Sequence, residues 1–313
     1  MNPERFQDYT RRLVKNCGKI ILGKDEVIRQ VIVCFLAGGH VLLEDLPGTG
    51  KTMLLRAFAR SIGGEFRRIQ FTPDLIPSDL TGINFYNQSA GKFEFRPGPL
   101  FSNIVLADEI NRATPRTQSA LLECMEERQI TVDGVTYPTR KPFLVMATQN
   151  PIESYGTFPL PEAQVDRFFM RLSLGYLERE QELEVFARPS SSVLLEELSP
   201  VVSMEETEAL AGEAAEVTVS DDVAGYLMDI IAETRQNRSL ANGVSTRAGL
   251  CLYRAAQITA AMEGRNYVIP EDIKREAPPV LGHRLSTLSG NSSDGTQALL
   301  KILDAIPVPL EKL

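Results

Sequence analysis

Residues 41–59 have the pattern of a strand, a glycine-containing turn and a helix. An apolar run precedes the turn at 44–52, and a helix-compatible run follows it. A phosphate-binding loop requires this context, because glycines let backbone N–H groups converge on phosphate oxygens at the start of a helix. Lys51 can then reach the outer phosphates, and the Thr52 hydroxyl can ligate Mg²⁺. The first position of the G-x-x-x-x-G-K-[ST] pattern is Asp45 instead of glycine.

Two further apolar runs end in polar residues. The run 103–107 is followed by Asp108 and Glu109, as expected for a buried parallel strand that delivers acids to the ligand-binding edge of a sheet. Asp108 would hold Mg²⁺, usually through water, and Glu109 would orient and polarise an attacking water. The run 142–149 leads to Asn150, which would sense the terminal phosphate or simply begin an Asn-Pro turn.

The organisation of the chain changes near residue 175. A chain of 313 residues suggests about two domains, and its 43% apolar content is ample for two cores. Strand and helix patterns alternate up to residue 175, whereas helical patterns dominate afterwards. We therefore expect an α/β core over residues 1–175 and a helical domain over 176–313. Residues 189–192 and 291–295 are expected to form loops.

Two segments interrupt the alternation of strands and helices in the first half. Residues 72–100 are rich in Pro, Gly, Asn and Asp and are long for a plain connection, although alternation at 92–96 predicts an ordered hairpin. Alternating runs around an Asp-Gly pair predict a second hairpin over residues 129–138. Insertions of this kind at a sheet edge are natural places for a moving contact element.

Three other features have both a structural and a functional interpretation. Residues 21–23 (Ile-Leu-Gly) would belong to a core or form an apolar wall for a base. Arg167, before a predicted fifth strand, would form a surface salt bridge or reach the nucleotide of a neighbouring subunit. Arg247 follows the capping pair Ser245-Thr246 and would be surface charge or reach the phosphates across the domain cleft. The residues alone favour the structural interpretation of Arg167 and of residues 21–23.

Composition excludes several classes of protein. A net charge of −8 provides no overall basic field of the kind that nucleic-acid-binding proteins usually carry. Four dispersed cysteines indicate buried free thiols in a reducing compartment, and two histidines leave no plausible zinc cluster. The N-terminus lacks the apolar core of a signal peptide, and no apolar run reaches transmembrane length. We expect a cytoplasmic protein without nucleic-acid partners or membrane insertion.

Together, these motifs resemble those of AAA+ ATPases in order and spacing. The matching segments are Ile21 to Gly23, Pro47 to Thr52, Leu106 to Arg112, Ala147 to Pro151, Glu162 to Phe168, and Ser245 to Arg247. Within this superfamily, the run from Asp108 to Glu123 resembles the MoxR family, as do the segments 147–151 and 162–168. The resemblance extends from about residue 10 to residue 285.

The resemblance implies a P-loop αβα core with a parallel five-stranded sheet in the order 5-1-4-3-2, and a smaller all-α lid. ATP would bind with Mg²⁺ between the two domains and at a subunit boundary. Residues 72–100 would be the helix-2 insert, and residues 129–138 the pre-sensor-1 hairpin. Family members act as chaperone-like remodellers, usually hexameric. They often work with a partner that carries a von Willebrand factor type A domain, and help to insert metals or activate client enzymes.

The resemblance also assigns roles to individual residues. Glu109 would be the catalytic carboxylate, Asn150 sensor 1, Arg167 the arginine finger in trans, and Arg247 sensor 2. The implied nucleotide-binding residues are Ile21, Leu22, Gly23, Pro47, Gly48, Thr49, Gly50, Lys51, Thr52, Met53 and Asp108, of which Thr52 and Asp108 also serve Mg²⁺.

Some alternatives remain open at the level of sequence. Arg112 and Arg116 are further candidates for the subunit contact. Asp45 departs from the P-loop pattern, and we expect tolerance because that position faces away from the tightest turn of the phosphate cradle. A nucleotide-gated scaffold with negligible hydrolysis is the alternative to a motor ATPase. A DNA-translocating relative is disfavoured by the charge of −8, and a GTPase by the absence of an Asn-Lys-x-Asp motif.

Overall fold

A computed structural model describes residues 2–45, 48–149, 157–189, 191–287 and 292–309 of the chain. Within these residues the strands are β1 (Val41–Glu44), β2 (Phe66–Gln70), β3 (Gly82–Asn87), β4 (Lys92–Pro97), β5 (Ile104–Asp108), β6 (Gln129–Val132), β7 (Val135–Pro138), β8 (Leu144–Gln149) and β9 (Met170–Leu172). The α-helices are α1 (Pro3–Gly18), α2 (Asp25–Leu36), α3 (Lys51–Ser61), α4 (Pro77–Thr81), α5 (Pro115–Glu127), α6 (Glu162–Val165), α7 (Arg179–Ala187), α8 (Ser191–Glu196), α9 (Met204–Glu213), α10 (Asp221–Gln236), α11 (Thr246–Met262), α12 (Pro270–Leu281) and α13 (Ser292–Ala305).

Five of the described strands form one parallel sheet in the order β2-β5-β8-β1-β9. When these five strands are numbered 1 to 5 in chain order and read from the β9 edge, their order is 5-1-4-3-2. The predicted α/β core is therefore confirmed. The labels differ from the counted order because two hairpins are inserted between core strands. The pairing of β1 and β5 with β8 brings the C-terminal ends of three buried strands to one edge.

The central strands β1, β5 and β8 are buried on both faces. Along β5, Ile104 and Leu106 join an apolar cluster with α1, α2 and α3, whereas Val105 and Ala107 join a second cluster with α5 on the opposite face. Successive side chains of a strand point to opposite faces, so burial of both faces requires an apolar run. The first cluster continues into the helices after Gly175, which therefore pack on the same side of the sheet as α1 and α2.

The helical half agrees with the predicted helices, and two serine-rich segments differ from expectation. Residues 189–192 and 291–295 were expected to form loops, but α8 begins at Ser191 and α13 at Ser292, while residues 190 and 291 lie outside the described residues. Serine occurs in loops and also at helix starts, because its hydroxyl can satisfy free backbone N–H groups. The apolar runs that follow then decide in favour of a helix.

The two inserted hairpins contact each other. β3 pairs with β4, and β6 pairs with β7 around the predicted Asp-Gly turn, so both expected hairpins are confirmed. Phe95 stacks on Tyr137 with ring centroids 5.0 Å apart, and Asn84 Nδ2 donates to Asp133 Oδ2 at 2.8 Å. These contacts join the first hairpin to the second. Phe93, near the tip of the first, is 71% exposed.

All four cysteines belong to the described residues, so their predicted burial can be compared with the structure. Cys17, Cys34 and Cys124 are buried free thiols, as predicted, and Cys251 is partly buried. Burial raises the pKa of the Cys17 thiol to about 11, which makes this side chain a poor nucleophile. None of the helices in the described ranges combines the length and the apolar character needed to cross a membrane.

Candidate functional site

The described part of the turn between β1 and α3 contains two glycines in the left-handed region that a phosphate cradle uses. Gly48 and Gly50 have φ values of +84° and +92°, in the region that glycine adopts without a steric penalty. A Cβ atom on Gly48 would meet no atom within 4 Å, so conformation and not packing requires glycine there. Lys51 begins α3, and its Nζ donates to the carbonyl oxygen of Asp45 at 3.2 Å.

A cavity of about 420 Å³ lies at the C-terminal edge of the sheet. It is lined by Asp45, Gly48, Thr49, Gly50, Lys51, Thr52, Met53, Arg68, Gln70, Asp108, Glu109, Thr148 and Gln149. The structure therefore brings the described P-loop residues and the two predicted acids to one cavity. Pro47 and Asn150 lie outside the described residues.

Thr148 joins the two acids. Its Oγ1 donates to Asp108 Oδ1 at 2.7 Å and accepts from the backbone N–H of Glu109 at 2.8 Å. The other Asp108 oxygen accepts from Arg68 Nη2 at 2.6 Å. Thr148 and Arg68 were not singled out from the sequence, although both belong to strands adjacent to β5.

Glu109 adopts a backbone conformation that is uncommon for a non-glycine residue, with φ 57° and ψ 50°. Such conformations persist where surrounding contacts hold them, and they are enriched at functional sites. Gln70 Nε2 donates to Glu109 Oε2 at 2.8 Å, and Arg112 Nε lies 3.1 Å from the same oxygen. Gln70, on β2, was not singled out from the sequence. Arg112 thus contacts the acid of its own chain.

The segment predicted to form an apolar wall lies beside the P-loop. A Cβ atom built on Gly50 would lie 3.8 Å from Ile21 Cδ1, and the Ile21 side chain is largely buried. Gly23 has φ +63°, and a Cβ atom there would approach the Gln181 side chain to 2.2 Å. Leu22 lies between them and is half-buried. Residues 21–23 therefore connect the P-loop to helix α7.

The side chain of Asp45 bonds to the residues that follow the edge strand β9. Its carboxylate accepts from Ser173 Oγ at 2.8 Å, from Leu174 N at 2.6 Å and from Gly175 N at 3.0 Å. Only 8% of the residue is exposed. Asp45, which replaces the first glycine of the P-loop pattern, thus accepts hydrogen bonds from three donors that follow β9.

Arg167 and Arg247 lie together, and neither belongs to the described residues that line the P-loop cavity. Arg167 Nε is 3.0 Å from Glu126 Oε2, and Arg247 Nη2 donates to Glu126 Oε1 at 2.5 Å. Asp166, next to Arg167, accepts from Ser245 Oγ at 3.2 Å. The expected reach of Arg247 across the cleft to the phosphates of its own chain is not formed in this structure.

Arg116 lies in another cleft. That cleft is about 800 Å³ in volume and separates the start of the first insertion from the β6–β7 hairpin. Arg116 and Thr117 border it on the α5 side, and Ile83 and Val132 on the hairpin side. This position leaves Arg116 a candidate for contacts made by the hairpins, separate from the P-loop cavity.

Comparisons with known proteins agree with this architecture. Residues 40–170 match the family described as "ATPase family associated with various cellular activities (AAA)", and residues 232–302 match "AAA lid domain". The protein YeaC of Bacillus subtilis is 47% identical over 96% of this chain and 95% of its own length. Chaperone MoxR1 of Mycobacterium tuberculosis is 42% identical over 88% of this chain and 74% of its own. A crystal structure of a protein from Cytophaga hutchinsonii superimposes with a TM-score of 0.89, at 40% identity and 98% coverage of each chain.

Proposed function

This chain belongs to the MoxR family of AAA+ ATPases, and we propose that it is a Mg²⁺-dependent motor that hydrolyses ATP to remodel a client protein. The observation that carries this proposal is the cavity that brings the described P-loop residues together with Asp108 and Glu109, where the Thr148 hydroxyl bonds the Asp108 carboxylate and the backbone N–H of Glu109. We take residues 1–175 as the motor core and residues 176–313 as its lid.

The residues of the cavity suit ATP and Mg²⁺. Gly48 to Lys51 offer backbone N–H groups and an ammonium group to phosphates, and Ile21 offers an apolar contact beside them. Thr52 and Asp108 supply the hydroxyl and carboxylate oxygens that Mg²⁺ prefers. When bound, Mg²⁺ neutralises charge on the phosphates. In this proposal, Glu109 orients a water molecule and accepts its proton.

The neighbouring subunit supplies the remaining charge in this proposal. Arg167 and Arg247 lie on one carboxylate outside the cavity of their own chain, which favours a role for both of them in a ring of identical subunits. We propose a hexamer in which these arginines face the nucleotide of the adjacent copy. An arginine finger raises the turnover rate by about 10³ to 10⁵. An isolated subunit should therefore be slow.

Single substitutions test the assignment. Glu109→Gln should abolish phosphate release and leave ATP binding intact, because the amide cannot accept a proton. Arg167→Ala should lower turnover by about 10³-fold or more at ring-forming protein concentrations. Glu123→Gln, on the exposed surface of α5, serves as the matched control for the charge change. If the Glu109 and Arg167 variants both hydrolyse ATP at the wild-type rate, the site assignment is wrong. Negligible phosphate release by the wild type would favour a nucleotide-gated scaffold.

The partners are proposed from the family alone. We propose a cytoplasmic location, a partner that carries a von Willebrand factor type A domain, and a client protein that the ring helps to mature. The Glu109→Gln variant, held with ATP, should retain such proteins on an affinity support. The Lys51→Ala variant, which lacks the phosphate-contacting ammonium group, is the control. Equal recovery with both variants would argue against nucleotide-dependent client binding.

A further inference from the structure

The chain that leaves β9 for helix α7 is held by Asp45, which lines the P-loop cavity, and by the segment 21–24, which packs beside Gly50. From one side, the Asp45 carboxylate accepts hydrogen bonds from Ser173, Leu174 and Gly175. From the other side, Lys24 Nζ donates to the carbonyl oxygen of Tyr176 at 2.7 Å. Four consecutive residues, 173–176, are therefore tied to the nucleotide site; we call them the connection.

Both holding segments also contact the P-loop itself. The carbonyl oxygen of Asp45 accepts from Lys51 Nζ, so one residue joins the phosphate-contacting lysine to the connection. Ile21, three residues before Lys24, packs beside Gly50. The contacts thus run from the P-loop through Asp45 to the connection, and return through residues 21–24 to the P-loop.

The connection leads directly into the helical half. Gly175 has φ +60°, a conformation that glycine adopts readily and that turns the chain away from β9. Helix α7 begins four residues later, and its Gln181 side chain lies against Gly23. A shift of the connection would therefore displace the first helix of that half.

The chemistry of Asp45 suits a coupling role. A carboxylate that is 8% exposed depends on its donors, because water cannot replace them. Hydrogen bonds to a charged acceptor are about twice as strong as neutral ones. Glycine at this position would leave the cradle intact and would offer no acceptor to residues 173–175. Aspartate in place of glycine therefore adds hydrogen bonds between the P-loop and the connection.

We propose that Asp45 is a positioning residue that couples occupancy of the P-loop to the placement of the connection and of the helical half. The inference depends on the proposed function, since it assumes that ATP binds at the P-loop. When Lys51 turns from the Asp45 carbonyl to a phosphate, residue 45 is released on its main-chain side and stays bonded to the connection on its side-chain side. The two halves then respond to nucleotide together.

The test measures the distance between the halves. Cysteines at the exposed positions Glu123 on α5 and Asp229 on α10 carry spin labels, and distances are recorded without nucleotide and with saturating ATP in the Glu109→Gln background. In the protein with an unmodified connection, ATP should shift the distribution of distances between the two labels. Asp45→Asn places an amide among three donors, and it should lose at least half of that shift at an ATP concentration that saturates this variant.

Two further variants remove other hydrogen bonds that hold the connection. Ser173→Ala removes one of the three donors and should lose part of the shift, and Lys24→Met removes the second tie and should do the same. In ATPase assays, Ser173→Ala, which leaves the described cavity lining unchanged, should lower kcat with little change in KM, whereas general damage to the P-loop would raise KM.

The outcomes separate this inference from the proposed function. If the unmodified protein does not bind ATP, the proposed function fails. If it binds ATP and the Asp45, Ser173 and Lys24 variants all shift like the unmodified protein, the coupling inference is overturned and the proposed function stands. If Asp45→Asn does not fold, full shifts in both the Ser173 and Lys24 variants suffice to overturn the inference.

Discussion

Arg167 and Arg247 share one carboxylate. Arg167 Nε lies 3.0 Å from one oxygen of Glu126, and Arg247 Nη2 donates to the other at 2.5 Å. Arg167 precedes the last strand of the sheet, whereas Arg247 lies in the first turn of α11. Their side chains are 31% and 49% exposed, so solvent and a neighbouring molecule can compete for them. Glu126 thus holds both arginines together at the surface of a single subunit.

Neutralising Glu126 should favour assembly of active rings. Glu126→Gln removes the charge that competes with a neighbour's phosphates. Exposed ion pairs are worth about 0–1 kcal/mol each, so loss of the two pairs should change the free energy of unfolding by no more than about 2 kcal/mol, or about 1 kcal/mol for each arginine. A gain of that size corresponds to about fivefold in an equilibrium constant. The protein concentration that gives half-maximal phosphate release should therefore fall by up to about fivefold.

The control for this experiment is Glu127→Gln on the same helix. Glu127 is exposed, so its substitution changes the net charge equally. A midpoint concentration that rises in the Glu126 variant, or that falls equally in both variants, would show that Glu126 does not compete for the arginines.

Mixing two inactive variants should restore activity. Arg167→Ala keeps Glu109 and loses the arginine, whereas Glu109→Gln keeps the arginine and loses the acid. In a mixed ring, the arginine of a Glu109→Gln subunit can complete the intact site of an Arg167→Ala neighbour. Phosphate release should reach a maximum near equal proportions, at up to about a quarter of the wild-type rate if subunits mix at random and each site needs one neighbour. A mixture no more active than either variant alone would argue against a site shared between subunits.

The sequence predicted the elements of the site better than their contacts. Asp108 and Glu109 could be located because an apolar run predicts a buried strand, and the C-terminal ends of parallel strands meet at one edge. Thr148 could not be selected from Thr148-Gln149-Asn150, because its role depends on register. The pairing of Ala107 with Ala147 places the next residue of each strand side by side.

Contacts between segments that are distant in the chain could not be predicted from the sequence either. Asp45 and residues 173–175 are about 130 positions apart, and no local pattern marks them as partners. Glu126 lies on an exposed helix face, where a carboxylate is ordinary. Local patterns predict strands, helices and hairpins, whereas these contacts result from the packing of the helical half on the core.

Removing the Thr148 hydroxyl should lower both stability and the catalytic rate. Thr148→Val keeps the shape of the side chain but leaves the Glu109 N–H and the Asp108 oxygen without this partner. An unsatisfied buried group costs about 1–3 kcal/mol, which limits the loss of stability. If the same amount is lost from the transition state, kcat should fall about 5- to 150-fold. Steady-state kinetics and denaturant unfolding measure the two effects separately.

Thr148→Ser is the matched variant because it keeps the hydroxyl and removes only a methyl group. It should retain most of the wild-type kcat. If serine and valine reduce kcat equally, packing of the methyl group, not the hydrogen bonds, would account for the effect.

Glu276 should make the stability of the protein depend on pH. The residue is fully buried on α12, and its Oε1 accepts from Gln30 on α2 at 3.2 Å and from Thr259 on α11 at 2.9 Å. Burial raises the pKa of this carboxyl from 4.5 to about 7, against the lowering effects of Thr259, Gln30 and Arg275; the nearby Glu26 raises it slightly. The protonated form is therefore favoured in the folded state.

The direction in which stability changes with pH follows from the protons that the folded and unfolded forms bind. Between pH 4.5 and pH 7 the folded protein holds a proton that the unfolded chain has lost, so this contribution to stability falls as pH rises and is lost above pH 7. A difference of 2.5 units (7 minus 4.5) corresponds to about 3 kcal/mol. Glu276→Gln, which stays neutral, should match the wild type near pH 4.5 and exceed its free energy of unfolding by up to about 3 kcal/mol at pH 8. Urea unfolding at intervals of one pH unit measures this difference, with the exposed Glu271→Gln on the same helix as the control. A difference between wild type and Glu276→Gln that stays constant with pH would mean that Glu276 keeps the same protonation state in the folded and unfolded chains.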